Sequence, residues 1–256
     1  MRPAPSTRSA LVLVLLLLGA PGVAAAQEAT ISPGIRAAQD APHRTAEERA
    51  RDANRKPVET LAFFGLRDDM RVLEIVPGGA WYTKLLAPAL RERGELYVWL
   101  GFERFADRLS QPGLDGVRVA AREVRLEATD RRGIFALEPF SFGLSGLDAV
   151  LTFRNLHNLT PAARASLHRA VFEALRPGGV YGVVDHTRRH MEPDGPENRR
   201  RLDPVVAIQE ALAAGFVLDG WSDLHYRPDD ELRYEVGRRS VTGNTDRFTL
   251  RFRRPE

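Results

Sequence analysis

The sequence predicts an α/β fold: a doubly wound, mostly parallel sheet with helices on both faces. Three observations carry this. Apolar strand-like runs alternate with helical periodicities through most of the chain after residue 57. The run Met70 to Val76 is apolar on both sides, as a central strand is. Several runs end in glycine-rich or polar turns just before a helix, where such sheets hold ligands.

Taken in order, residues 27–44 contain Pro33, Gly34 and Pro42 and read as a loose arm. Thr45-Ala46-Glu47-Glu48 has the spacing of a capping box, so a short helix follows to about Arg55. Pro57 suits the first position of a second helix, VETLAFF, which Gly65 ends. Met70–Val76 is the first strand. Tyr82, Leu85, Leu86, Ala89 and Leu90 recur at three and four, one apolar helix face, with Pro88 inside it and Gly94 closing it. Glu95–Leu100 is a second strand. The stretch 103–145 offers a strand near Val117–Leu126 amid loop material. DAVLTF (148–153) is a strand, and Thr160-Pro161 starts a helix facing inward through Leu167, Ala170, Val171, Ala174 and Leu175. Pro177-Gly178-Gly179 turns the chain into the strand VYGVVD. A helix over about 202–214 is capped by Gly215. Phe216–Trp221 and Phe248–Phe252 are the last strands, joined by a long polar connection; a closing hairpin brings one antiparallel strand into the sheet.

The chain has 256 residues, 43% hydrophobic and 28% charged, with a net charge of +3. That is enough for one good core and too short for two large domains. Nearly all basic residues are arginine, and no run of like charge marks a nucleic-acid tail, so no nucleic-acid partner is expected. The first 26 residues form a secretory leader: Arg2 and Arg8, the apolar run ALVLVLLLL, then Ala24-Ala25-Ala26 before Gln27. The apolar run is short of the ~20 residues of a membrane span. The expected organisation is thus 1–26 signal peptide, 27–56 arm and helix, and 57–256 the α/β domain, exported to the periplasm. There is no cysteine, hence no disulfide framework, and no metal site is expected.

Three strand ends carry chemistry. The first is VLEIVPGGAWYT (72–83): an acid, a Gly-rich turn and a helix start, which together let backbone N–H groups approach an anionic or polar ligand. The second is FRNLHNL (153–159), where Arg154, Asn155, His157 and Asn158 follow a buried strand. The third is Asp185-His186, an acid beside a histidine able to serve as general base. Each also has a plain structural reading: a tight turn, a helix cap, a strand end.

In order, these features resemble the class I S-adenosylmethionine-dependent methyltransferases over about residues 57–256. VLEIVPGGAWYT looks like their first motif, LDAVLTFRNLHNL like their fourth-strand motif, and ALRPGGVYGVVD like the turn into their fifth strand. RDANRKP, GGAWYTKLLAP and the tail from Arg227 are similar to an exported subgroup of predicted methyltransferases. The resemblance implies a seven-stranded Rossmann-like sheet and S-adenosylmethionine as cofactor. It implies that Glu74 and the loop Val76, Pro77, Gly78, Gly79, Ala80 and Trp81 contact that cofactor, with Val76 and Ala80 standing where the family usually has glycine. Glu103 is the nearest match to the acid that holds the ribose. Arg154, Asn155 and His157 fall near the transferred methyl. His157 is then the first candidate for a base, with Tyr82 and His186 behind it, and the acceptor is a small molecule. The other reading is a retained fold whose altered loop makes it a non-catalytic ligand-binding module.

Overall fold

A computed structural model describes residues 32–256; the leader expected over 1–26 and the first residues of the arm lie outside the described residues. The arm is not loose where it is described. Pro33 starts α1 (Pro33–Gln39), which buries Ile35 and Ala38. Its composition is mixed because it needs only that one apolar edge. The Thr45 capping box forms as expected: the Glu48 N–H donates to Thr45 Oγ1 (3.2 Å) and the Thr45 N–H to Glu48 Oε2 (2.9 Å). The helix it opens breaks at Arg51 into α2 (Ala46–Ala50) and α3 (Asp52–Arg55). Then come α4 (Pro57–Phe63), β1 (Arg71–Ile75), α5 (Thr83–Leu90) and β2 (Glu95–Trp99).

The single strand expected over 117–126 is replaced by three two-residue pieces: β3 (Arg118–Val119), β4 (Glu127–Ala128) and β5 (Phe135–Ala136). Only β3 joins the main sheet; β4 and β5 pair with each other. β6 (Leu147–Phe153) and α6 (Pro161–Ala174) follow, the latter capped by Thr160, whose Oγ1 accepts from the Ala163 N–H at 3.1 Å. Pro177-Gly178-Gly179 is not a separate turn. It is a bulge inside β7 (Leu175–His186), where pairing jumps from Leu147–Leu175 to Ala149–Val180. Gly178, at φ +72, absorbs the kink. The chain ends with α7 (Pro204–Ala213), β8 (Val217–Ser222) and β9 (Arg247–Arg253).

The seven-stranded order is β3-β2-β1-β6-β7-β9-β8, parallel except for β9, which inserts antiparallel between β7 and β8. The winding reverses between β1 and β6, so their carboxyl ends form the switch point where ligands sit in such sheets. One face packs α1, α4 and α5 over Val72, Ala149 and Leu151; the other packs α6 and α7 over Leu73, Val150 and Tyr181. Gly182 shows how closely α4 lies: a Cβ there would meet Leu151 and Phe64 at 2.8 Å. No helix among the described residues is long and apolar enough to cross a membrane.

Candidate functional site

The loop after β1 holds three residues in the left-handed region: Val76 (φ 47), Gly78 (φ 58) and Ala80 (φ 61). Only one is glycine. A β-branched residue there is a true outlier, and such strain persists only where its surroundings over-determine it. The surroundings are visible. The Val76 N–H donates to the Trp99 carbonyl (2.8 Å), and the Asn155 amide donates to the Ile75 carbonyl (2.9 Å). Asn155 therefore clamps the loop from the next strand. A Cβ added at Gly78 or Gly79 would meet nothing within 4 Å, so the loop's outer face is open.

Glu74 is buried beneath this loop and accepts a 2.7 Å hydrogen bond from Thr83 Oγ1. Burial pushes its carboxyl up to about 7, against the opposing pull of Thr83 and Arg55.

Beside the loop, the space between the ends of β1, β2 and β6 is nearly filled. Val76, Phe102, Leu126 and Phe135 close around a cavity of about 20 Å³. The segment that covers it is tied down by Leu126 N–H to the Gly101 carbonyl (2.8 Å), Thr160 N–H to the Phe135 carbonyl (2.9 Å) and the Trp99 indole to the Val124 carbonyl (3.2 Å). Glu103 stands exposed at the start of a 3₁₀ turn, Glu103–Ser110.

Over the ends of β6 and β7 the predicted histidines separate. Asp185 is fully buried and accepts from the His157 ring nitrogen Nδ1, the His157 N–H (3.2 Å) and the His186 N–H (2.7 Å). With Nδ1 committed to the carboxylate, Nε2 is the nitrogen left to take a proton. His157 lines a cavity of about 350 Å³ with Arg131, Arg164 and Arg188. The His186 ring is 5.5 Å from that of His157 but belongs to a different cavity. Burial, then the neighbouring His157, Arg154 and Arg247, pull His186 well below the usual histidine range, so it is neutral. Its Nδ1 lies 3.0 Å from Thr245 Oγ1.

That second cavity, about 340 Å³, is lined by Arg51, Arg55, Arg154, His186, Arg200 and Arg247. Sequence reasoning singled out Arg154 and His186 and missed the rest. Trp81 and Tyr82 sit beside this cavity, both buried. The Trp81 indole donates to the Glu48 carbonyl (3.0 Å) and its face carries the Arg44 and Arg55 guanidinium groups at 5.1 and 4.4 Å. The Tyr82 ring stacks on Phe153 with centroids 3.5 Å apart, and its hydroxyl donates to the Arg55 carbonyl (3.4 Å). Both residues join the arm to the loop.

No family model matches the sequence, and no curated protein matches it. Solved structures do match the fold. A SAM-dependent methyltransferase from Aquifex aeolicus superposes with TM-score 0.55 at 16% identity, covering 80% of this chain and 93% of that one. The 4+2 cyclase SpnF gives TM-score 0.53 at 17% identity over 82% and 81%. Human N-acetylserotonin methyltransferase in complex with SAM gives 0.52 at 12% identity, over 87% of this chain and 56% of that one. The chain has the class I methyltransferase fold, with its mostly parallel sheet and C-terminal antiparallel strand.

Proposed function

We propose that the chain carries out S-adenosylmethionine-dependent methyl transfer to a small-molecule acceptor. The observation that carries this reading is the strained loop. Left-handed backbone is kept at Val76 and Ala80 although neither is glycine, at a cost of order 1–3 kcal/mol each. A turn needed only to join β1 to α5 has no reason to keep it. The open backbone at Gly78–Gly79 and the buried acid Glu74 fit the aminoacyl end of such a cofactor. The nucleoside end fits less well: about 20 Å³ remains where small-molecule pockets need roughly 300 Å³ or more. Binding there requires Leu126 and Phe135 to swing away.

When bound, the cofactor supplies an electrophilic methyl group. The chain's own part is to hold the acceptor in line and exclude water, since proximity supplies much of the rate. His157, oriented by Asp185, accepts at Nε2 any proton the acceptor must lose. Residues at the ends of β6 and β7 position the acceptor. On the same reading, residues 1–26 act as a leader that carries the chain to the periplasm.

The nearly filled cavity favours a second reading, a non-catalytic ligand-binding module. Calorimetry of the chain from Gln27 onward with S-adenosylmethionine and S-adenosylhomocysteine separates them. Binding of either, weakened at least tenfold by Glu74→Ala, supports methyl transfer. No heat from either at millimolar ligand would falsify it.

A further inference from the structure

Four arginines from distant parts of the chain converge on the 340 Å³ cavity: Arg51 and Arg55 from the arm, Arg154 after β6, and Arg247 at the start of β9. Elsewhere this fold pairs its buried arginines. Arg44 meets Asp52, and Arg201 meets Asp230 in a two-pronged bond at 2.9 Å, each with a side chain shut off from solvent. Arg200, at the cavity's rim, is paired with Glu235. None of the four converging arginines has a carboxylate partner among the described residues.

Arg51 is exposed, but the environment of the other three is not that of solvated surface charge. Arg55 is only 4% exposed and its guanidinium rests on the Trp81 ring with no hydrogen-bond acceptor among the described residues. Arg247 is 5% exposed; one nitrogen donates to the Asn54 carbonyl (2.8 Å), while its Nε is buried without a partner. Arg154 presents its side chain from a left-handed backbone at φ 65. Burial and then the charge of Arg154 pull Arg55 down to about 8; burial likewise lowers Arg247 to about 10. A guanidinium does not surrender its proton in a protein, so these shifts measure the cost of keeping the charges there. Uncompensated charge in a buried site is strongly destabilising. Guanidinium forks match phosphate and carboxylate oxygens in pairs. His186, neutral and at the same wall, offers a further hydrogen bond without adding repulsion.

We propose that this cavity binds a small molecule through a multiply charged oxyanion group, a phosphate or a cluster of carboxylates. Its volume exceeds that group alone, leaving room for the body of the ligand. That this ligand is the methyl acceptor rests on the methyl-transfer reading; the anion site does not.

The test uses the chain from Gln27 onward. Inorganic phosphate, glycerol 3-phosphate and citrate are titrated by calorimetry and thermal denaturation against sodium chloride at matched ionic strength. The expected result is one-site binding by at least one anion with a raised melting temperature. Preference between the phosphates and citrate tells phosphoryl from carboxylate ligands. Arg154→Gln should lose at least tenfold in affinity yet, without ligand, melt above wild type because one repelling charge is gone. Arg51 is exposed, so Arg51→Gln cannot threaten folding, and it too should bind more weakly. The proposal is overturned if no anion binds better than chloride, if both variants bind as wild type does, or if Arg154→Gln alone melts lower. Anion binding without S-adenosylmethionine binding would leave this site standing and remove the methyl-transfer reading; the reverse pattern would do the opposite.

Discussion

Val76 carries two opposed effects. Its left-handed backbone costs of order 1–3 kcal/mol, while its side chain packs over Gly101 and Leu126, where a Cβ on Gly101 would meet Val76 Cγ2 at 2.9 Å. Val76→Gly removes both. Chemical denaturation should place the variant within about 1 kcal/mol of wild type, because lost burial of ~1.5 kcal/mol roughly offsets relieved strain. Its affinity for S-adenosylhomocysteine should rise, since the valine is a wall of the closed cavity. Weaker binding would show that the side chain belongs to the working pocket. Glu74 gives a second test at this scale. Its folded pKa of about 7 lies above the unfolded carboxylate range. Between about 4.5 and 7 the native chain holds a proton that the unfolded chain has lost, so stability falls as pH rises through that window. Glu74→Gln should therefore match wild type near pH 5 and exceed it by a few kcal/mol at pH 8, as urea midpoints would show. A constant difference at both pH values would mean the acid titrates normally. The sequence made this loop legible because the acid and glycines lie within a dozen residues. It hid the arginine cluster, since Arg51, Arg55, Arg154 and Arg247 are far apart in a chain whose basic residues are nearly all arginine.

Among elements, the arm is a wall of the site rather than an appendage. Lys84, on α5, is almost fully buried and its Nζ meets Glu48 Oε1 at 2.8 Å, while Glu48 also closes the capping box of α2. The Arg55 carbonyl, at the end of α3, lies 2.9 Å from Nε2 of the fully buried His225 in the connection between β8 and β9. Glu48→Gln leaves Lys84 without its counter-charge and weakens the cap. Glu48 keeps some solvent contact, so the loss should be about 2 kcal/mol rather than the 3–5 of a fully buried pair. Hydrogen exchange should quicken first in residues 46–56; unchanged protection there would deny the arm this anchor. The capping box, β1, α5, β6 and α6 could be read ahead because each has its own periodicity or cap. The 103–145 stretch could not. Its strands are two residues long, and its order comes from Trp99 packing against Phe140 (centroids 5.1 Å) and Phe142 (5.8 Å), contacts that leave no period in sequence. The helix α1 escaped for the same reason: α5, not its own composition, holds it in place.

For the whole molecule, buried histidines set the response to acid. His168 is fully buried, with neither ring nitrogen bonded among the described residues, and burial followed by Arg164 drives it down to about 3. Burial also takes His225 to about 3 and His186 well below its ordinary value. Below about 6.5 the unfolded chain binds protons at these sites and the native chain does not. Stability is therefore lost progressively as pH falls from 6.5 towards 3. Glu74 acts in the opposite sense between about 4.5 and 7, but it is one group against three. The net expectation is a maximum near neutrality and a steep decline below pH 6, with His168 and His225 each contributing about 2 kcal/mol by pH 5 and His186 acting in the same direction. His168 is the one to remove, because neither of its ring nitrogens is hydrogen-bonded among the described residues and it lines neither cavity. His168→Leu should raise the urea midpoint at every pH, and by clearly more at pH 5 than at pH 8, while anion binding to the arginine cavity stays as in wild type. An equal gain at both pH values would mean that His168 titrates in the native chain as it does in the unfolded one, and the acid limb would then have to come from His186 and His225.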